Sequence, residues 1–167
     1  MRDRKVKDRK MKDKGKNIKL CFAASSGGHF EQLLMLKPLM EKYDSIIVTE
    51  QTGYQVKTPV PCCYMLQVNR KEKSFLPRMV VNTWRAARLL HREKPDAVIC
   101  TGVLAMIPLC LLAKLTGRKL IYIESFAKVT SATLSGKLLY KFADRFYVQW
   151  EQMKEIYPEA ICLGGIY

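Results

Sequence analysis

The sequence has few of the residues that mark metal sites, disulfide scaffolds and membrane spans. It contains two histidines, and its six cysteines include no CxxC pair, so neither a zinc site nor a redox motif is indicated. The longest apolar run, residues 103–113, is about half of the roughly 20 residues that a membrane-spanning helix needs. The P-loop and GxGxxG fingerprints of nucleotide-binding proteins are also missing.

Acidic residues are scarce as well, with 15 Asp and Glu against 29 Lys and Arg and a formal net charge of +14. Residues 1–19 carry ten basic and three acidic residues, which is half of the excess. Residues 1–17 lack the apolar core of a signal peptide, and we interpret them as a disordered basic tail. The tail is either a solubilising extension or is attracted to an anionic membrane. Nucleic acid is the weaker alternative, since no recognition motif accompanies the charge.

Residues 18–167 alternate between short β-rich runs and longer amphipathic runs. This alternation predicts one Rossmann-like α/β domain, a parallel sheet with helices on both faces. The predicted strands are 18–24, 45–49, 62–68, 96–101, 119–123, 145–148 and 160–163. The predicted helices are 31–42, 75–93, 103–116, 135–143 and 151–156.

Two of the predicted helices carry further expectations. Helix 75–93 places Val80, Trp84, Ala87 and Leu90 on one face, which we expect to be its apolar face. Helix 103–116 is apolar on nearly all sides, so it is either buried or in contact with lipid or another subunit. Ligands of parallel sheets bind at the carboxyl ends of the strands, and the residues there are the candidates for function.

A glycine-rich turn follows the first predicted strand and opens onto a helix. It consists of Ser25, Ser26, Gly27, Gly28 and His29. Such a turn leaves backbone N–H groups free for a phosphate, and glycine allows the phosphate to approach closely. It is equally compatible with a tight strand-to-helix turn that a serine caps. A neutral imidazole in this place could take a proton from an attacking hydroxyl, or it only donates a hydrogen bond.

Two later strand ends carry polar residues that face the same edge of the sheet. Thr101 and Gly102 follow the fourth strand, where the glycine allows either a ligand or the next helix to approach. Glu124 and Ser125 follow the fifth strand, and a carboxylate at the end of a buried strand is costly unless it is hydrogen-bonded or functional. Glu124 therefore holds a sugar hydroxyl, acts as a base or caps the segment that follows.

Several segments in order carry a resemblance to a known family, namely SSGGHFEQL, TGVLAMIP, IYIESFAKVTSATLSGKLLY, FYVQWEQM and LGGIY. Together they resemble the bacterial capsule and exopolysaccharide relatives of the acceptor-binding subunit of the split dolichol-linked N-acetylglucosaminyltransferase. The resemblance runs from about residue 19 to residue 167. More distantly, the chain is similar to the N-terminal domain of the transferase that makes the lipid-linked peptidoglycan precursor, a two-domain GT-B enzyme.

The resemblance implies a Rossmann-like domain equivalent to the N-terminal domain of a GT-B glycosyltransferase. This domain would bind a polyprenyl-pyrophosphate-linked saccharide, and a separate subunit would bind the UDP-sugar. The turn at residues 25–28 would face the pyrophosphate, and His29 would be the candidate base. Thr101 and Gly102 would line the same cleft, with Glu124 and Ser125 near the reacting sugars.

The implied complex is a peripheral one on the cytoplasmic face of the cell membrane, where the apolar helix and the basic surface would hold it. GT-B enzymes generally need no catalytic metal, the sequence has no DxD motif, and we expect no cofactor and no nucleic acid. We expect the chain to be one subunit of a UDP-sugar-dependent hexosyltransferase that is inactive without its partner. Whether this subunit supplies the base or only positions the acceptor is left open. The alternatives are a nucleotide-binding module with a nucleic-acid-binding tail and a standalone small-molecule enzyme.

Overall fold

The computed structural model describes residues 18–53, 57–102 and 104–167, and the basic tail predicted over residues 1–17 lies outside them. The strands are β1 (Lys19–Ala23), β2 (Asp44–Glu50), β3 (Cys62–Met65), β4 (Ala97–Cys100), β5 (Lys119–Ile123), β6 (Arg145–Val148) and β7 (Ile161–Cys162). The helices are α1 (Gly28–Leu34), α2 (Lys37–Lys42), α3 (Phe75–Glu93), α4 (Ile107–Leu115) and α5 (Leu134–Leu139). Two short 3₁₀ helices cover Leu104–Met106 and Glu151–Glu155.

Within the described residues the strands form one seven-stranded sheet, in the order β3-β2-β1-β4-β5-β6-β7. Every neighbouring pair is parallel, so all strands point their carboxyl ends to the same edge. The order reverses between β1 and β4, and such a switch point is where parallel α/β sheets bind their ligands. The predicted Rossmann-like α/β fold is confirmed.

The strands bury both of their faces, as parallel strands covered by helices do. In β1, Cys21 and Ala23 belong to the core cluster that contains side chains of α3, α4 and α5. Leu20 and Phe22 belong to the opposite cluster, which contains side chains of α1 and α2. The alternation along one strand therefore divides the core into two helix-covered halves.

The helix predicted over residues 31–42 is wrong as a single element. The structure has α1 and α2 instead, with a break at Met35 and Leu36. Pro38 explains the break, because a proline inside a helix has no N–H to donate and its ring clashes with the carbonyl four residues earlier. That carbonyl belongs to Leu34, the last residue of α1, and Pro38 instead lies in the first turn of α2.

The bounds predicted for α3 agree with the structure, but of the four residues predicted on its apolar face only one is buried. Leu90 is buried, whereas Val80, Trp84 and Ala87 are exposed. The buried face contains Asn82 instead, whose amide group bonds to the backbone N–H and C=O of Leu66, both at 2.8 Å. Apolar periodicity missed this face because the core here accepts a polar side chain whose hydrogen bonds are satisfied.

The apolar helix α4 packs in the middle of its layer, next to α3 on one side and α5 on the other. Its residues Pro108, Leu109, Cys110 and Ala113 are buried. The structure therefore buries one face of this helix, whereas Leu115 at its end is 81% exposed, and contact of the helix with a membrane stays a prediction. In the described part of the chain, no helix combines the length and the apolar character that crossing a bilayer requires.

Asp144 holds the start of β5 against the turn that precedes β6. Its carboxylate accepts the N–H of Leu120 at 2.9 Å and lies 2.8 Å from Lys114 Nζ and 3.3 Å from Lys119 Nζ. Burial acts to raise the pKa of this carboxyl. The hydrogen bond and the two ammonium groups outweigh it and lower the pKa to about 2.

Asp144→Asn should reduce the free energy of unfolding at pH 7 by roughly 2 kcal/mol, because the folded state lowers the pKa of this carboxyl. Because the pKa is lower in the folded state, the ionised carboxylate stabilises the fold at pH values above its unfolded pKa near 3.8. This stabilisation is lost as the pH falls toward about 2. The gap between wild type and variant should therefore close over that range. Urea unfolding followed by circular dichroism at pH 7, 4 and 3 measures it, and a gap that does not change with pH would contradict this account.

Candidate functional site

The candidate site lies at the switch point, where the chain leaves the carboxyl ends of β1 and β4. The turn between β1 and α1 contains Gly27, whose φ of +80° is strained for residues with a side chain. The carbonyl of Gly27 accepts the N–H groups of Phe30 at 2.8 Å and Glu31 at 3.1 Å, which begins the helix. Gly28 follows with open space within 4 Å of where a Cβ would stand.

Glu50 holds this turn from the neighbouring strand. It is the last residue of β2 and is buried, and its Oε2 accepts both the N–H and the hydroxyl of Ser26, each at 3.1 Å. The sequence analysis missed this residue. The signal was available, because Glu50 is a carboxylate at the end of a buried strand, the same feature that identified Glu124.

His29 is joined to the end of β4 by two hydrogen bonds. Its Nδ1 lies 2.9 Å from the carbonyl oxygen of Thr101, and the Thr101 hydroxyl donates to the His29 carbonyl at 2.8 Å. A carbonyl oxygen only accepts, so this contact assigns the proton of the neutral ring to Nδ1. Nε2 then carries the lone pair, and the half-buried imidazole has a basic nitrogen that is not used by Thr101.

Gly102 makes the close packing of His29 possible. A Cβ at this position would lie 2.5 Å from both Cγ and Nδ1 of His29, which is far inside van der Waals contact. The Gly102 carbonyl also accepts the N–H of Ser25 at 3.1 Å. The structure therefore brings the turn at residues 25–29 together with Thr101 and Gly102.

Glu124 is placed differently from the other candidates. Its side chain is 1% exposed, and its carboxylate accepts the N–H of Ser125 at 2.9 Å, the hydroxyl of Thr133 at 3.1 Å and the phenol of Tyr157 at 3.0 Å. Thr133 in turn caps α5 by accepting the N–H of Gly136 at 2.8 Å. Of the three roles that the sequence leaves open for Glu124, these contacts fit the third, in which the carboxylate caps the segment that follows β5.

Two neighbours confirm how tightly the Glu124 carboxylate is enclosed. A Cβ at Gly136 would collide with Glu124 Oε2, so α5 can approach only because this position is glycine. Burial, together with the nearby Glu124, raises the pKa of the Tyr157 phenol well above its usual range, which keeps it a donor. In the sheet, β4 lies between β5, which Glu124 follows, and β1, which leads to His29. The catalytic role of Glu124 stays a prediction, and its contacts are those of a positioning residue.

The part of the chain that the structure describes contains no cluster of three or more His, Cys, Asp or Glu that could hold a metal ion. The six cysteines are free thiols, and burial raises the pKa of Cys21 above its usual range. Cys21, Cys100 and Cys110 are buried in the core, as their apolar surroundings in the sequence indicate. The groups that meet at the switch point are the His29 imidazole, the hydroxyls of Ser26 and Thr101, the Glu50 carboxylate and backbone groups.

The switch-point site and the sheet order define the class of protein. The chain has the Rossmann-like fold of the N-terminal domain of GT-B glycosyltransferases, and it superposes on MurG of Acinetobacter baumannii with a TM-score of 0.65 at 18% identity. That match covers 81% of this chain and 42% of MurG. A UDP-GlcNAc 2-epimerase of Methanocaldococcus jannaschii, in complex with UDP-GlcNAc and UDP, superposes with a TM-score of 0.69 at 14% identity. That match covers 89% of this chain and 47% of the epimerase chain. At these identities the likeness concerns the fold alone.

Sequence comparison then identifies the family. Residues 67–166 match the family described as "Oligosaccharide biosynthesis protein Alg14 like", and the chain belongs to it. The human UDP-N-acetylglucosamine transferase subunit ALG14 is 42% identical to this chain. The match covers 59% of this chain and 50% of the human protein. The subunit of the same name from Yarrowia lipolytica is 32% identical over 88% of this chain and 80% of its own length.

Gly102→Ala should displace the His29 ring and break its hydrogen bond to Thr101, because the added methyl group occupies the space of Cγ and Nδ1. Long-range ¹H–¹⁵N correlation of the imidazoles measures the result. The wild type should show His29 with its proton on Nδ1, and the variant should show exchange between tautomers. His91, exposed on α3, serves as the internal reference and should not change.

Gly53→Ala is the matched control, since no atom lies within 4 Å of the Cβ that it adds. It should leave the signals of both histidines in place. Unchanged His29 signals in Gly102→Ala would show that the ring is not held against β4 as described.

Proposed function

We propose that this chain is the acceptor-binding subunit of a two-component glycosyltransferase. The enzyme would transfer N-acetylglucosamine from UDP-GlcNAc to a polyprenyl-diphosphate-linked saccharide. The observation that carries the proposal is membership of the Alg14-like family, whose curated relatives are named as subunits of a UDP-N-acetylglucosamine transferase. The donor would bind mainly to a separate partner subunit, and no metal or other cofactor is part of the proposal. The bacterial capsule or exopolysaccharide setting stays a prediction from the sequence motifs.

The geometry at the switch point supports a role for His29 in deprotonating the acceptor. Nε2 would take the proton of the acceptor hydroxyl as its oxygen attacks C1 of the donor sugar, while the C1–oxygen bond to UDP breaks and UDP leaves with the electron pair. The hydrogen bond from Nδ1 to Thr101 holds the tautomer that this step requires. Glu50 would contribute by positioning the turn, without touching the acceptor, and Gly102 would leave the room that the ring needs.

The proposed site of the acceptor is the turn at residues 25–28, with Thr101, Gly102 and Ser125 along the same edge. The open space beside Gly28 supports close approach of a ligand to this backbone. The buried Glu124 would support the site indirectly, because its carboxylate holds Ser125 and Thr133 in place. This arrangement favours a division between a reacting group in α1, after β1, and a positioning carboxylate directly after β5.

His29→Asn should lower kcat of the assembled enzyme by about 10²–10⁴-fold, because the amide can still donate to the Thr101 carbonyl but is not a base. Gly28→Ala should also reduce transfer while leaving the fold unchanged, since its methyl group meets no protein atom and can obstruct only a ligand. Both are measured with UDP-GlcNAc and a polyprenyl-diphosphate-linked sugar.

The partner for this assay is obtained by mild-detergent pull-down of the tagged chain from its native membranes, with mass spectrometry of the proteins that co-purify. Recovery of a protein with a UDP-sugar-binding domain is expected. Gly53→Ala is the control for Gly28→Ala and should retain full activity. Full activity of a folded His29→Asn variant would rule out His29 as the base. Repeated recovery of the chain without any such partner would count against a two-component enzyme.

A surface on α3 supports a peripheral position on an anionic membrane. Leu76, Val80 and Trp84 follow one another at intervals of four residues, and their side chains are 70%, 69% and 60% exposed. We call these three residues the α3 stripe. Arg88 continues the row, with its guanidinium 5.5 Å from the centre of the Trp84 ring. An exposed apolar row with a tryptophan and neighbouring arginines is typical of helices that lie in a membrane interface.

Replacing all three residues of the α3 stripe with serine should weaken binding to phosphatidylserine-containing vesicles by at least about tenfold. The reason is that burying each large apolar side chain contributes roughly 1.5–3 kcal/mol. Co-sedimentation with vesicles measures the binding. Folding should not change, since the three side chains are exposed in the protein.

A control variant carries Ile18→Ser and Met35→Ser, which remove exposed apolar side chains away from α3. It should bind vesicles like the wild type. Equal binding by the stripe variant and the wild type would exclude α3 as the membrane surface.

A further inference from the structure

A cavity of about 590 Å³ lies beside the start of α3 and is separate from the turn at residues 25–29. Its walls come from the loop between β3 and α3, from the 3₁₀ helix after β4 and from the segment that leads into α5. All three begin where a strand ends, so the cavity opens at the carboxyl edge of the sheet. Its volume is within the range of small-molecule sites, about 300–1,000 Å³.

The charged residues that line this cavity are all basic, namely Arg70, Lys71 and Lys128. None of the three forms an ion pair with a described Asp or Glu, whereas Arg78, Lys114 and Lys119 elsewhere in the described residues do. Three cations from two different loops repel one another when no anion is present. Their convergence is therefore favourable to a ligand that carries more than one negative charge.

The cavity also has an apolar side. Val68, Leu104 and Leu134 line it, and Leu134 is 64% exposed on α5. The α3 stripe starts directly after the basic loop, with Leu76 in the first turn of α3. The cavity thus joins a cationic rim to apolar surface that continues onto α3 and α5.

We propose that this cavity binds the diphosphate of an isoprenoid-linked ligand, with Arg70, Lys71 and Lys128 on the diphosphate and Leu104 and Leu134 against the first isoprene units. In this assignment the turn at residues 25–28, which the family resemblance predicts to face the pyrophosphate, receives the saccharide instead. Thr133 belongs to the same wall and is held by the buried Glu124, so the positioning carboxylate would shape this site. The assignment to the transfer reaction rests on the proposed function, in which this chain binds the lipid-linked acceptor. Binding itself can be tested without the partner subunit.

The test is the direct binding of farnesyl diphosphate to the full chain by isothermal titration calorimetry. The wild type should bind it saturably, and the combined variant Arg70→Gln, Lys71→Gln and Lys128→Gln should bind it at least about tenfold more weakly. The control variant Lys42→Gln, Lys57→Gln and Lys141→Gln removes the same charge from residues outside the cavity. It should bind within about twofold of the wild type, and equal weakening of both variants would overturn the site in favour of a general charge effect.

Two further probes distinguish the sources of the phosphate. Inorganic diphosphate should bind more weakly than farnesyl diphosphate, and Leu134→Ser should remove that difference. Equal affinity for both would overturn the isoprenoid part of the proposal. Binding to phosphatidylserine vesicles without any binding of farnesyl diphosphate would overturn the diphosphate site. Retained farnesyl diphosphate binding in a chain that supports no glycosyl transfer would leave the site standing and contradict only the proposed function.

Discussion

The parallel sheet has to bury both of its faces, and this constraint determines where everything else in the molecule can lie. The layer of α1 and α2 covers one face and the layer of α3, α4 and α5 covers the other. Among the described residues, the strand ends, the outer sides of the helices and the two edge strands β3 and β7 are left for contact with other molecules. Because every strand is parallel, all carboxyl ends meet at one edge, and the polar residues that follow them collect there.

Buried carboxylates give this edge its definite shape. Glu50 and Glu124 both end or directly follow a core strand, and each accepts hydrogen bonds only from neutral hydroxyl or N–H groups. A buried carboxylate is costly without hydrogen-bond donors or cations around it, so each of these two fixes the conformation of the loop that supplies its donors. Glu50 thereby holds the glycine turn, and Glu124 holds the segment that begins α5.

Much of this could be predicted from the sequence, and the failures have specific physical causes. The strands and the bounds of α3 follow from periodicity, and the residues near the switch point follow from the rule that strand ends carry ligands. The break before Pro38 could have been predicted from proline chemistry. The buried face of α3 could not, because Asn82 is satisfied by Leu66 of a distant loop. The enclosure of Glu124 likewise depends on Tyr157, 33 residues away in the chain.

The two surfaces proposed for lipid and for chemistry share the carboxyl edge for a topological reason. α3 and α5 each follow a strand, so their first turns stand at the edge where the strands end. The connection after β4 links the two regions, since Gly102 packs on His29 and Leu104, two residues later, lines the basic cavity. A lipid-linked substrate whose diphosphate occupied the cavity would have its saccharide directed along this edge toward the switch point. The lipid end of the substrate would then lie near the α3 stripe and its saccharide end near His29. The lipid would not have to leave the bilayer for the reaction.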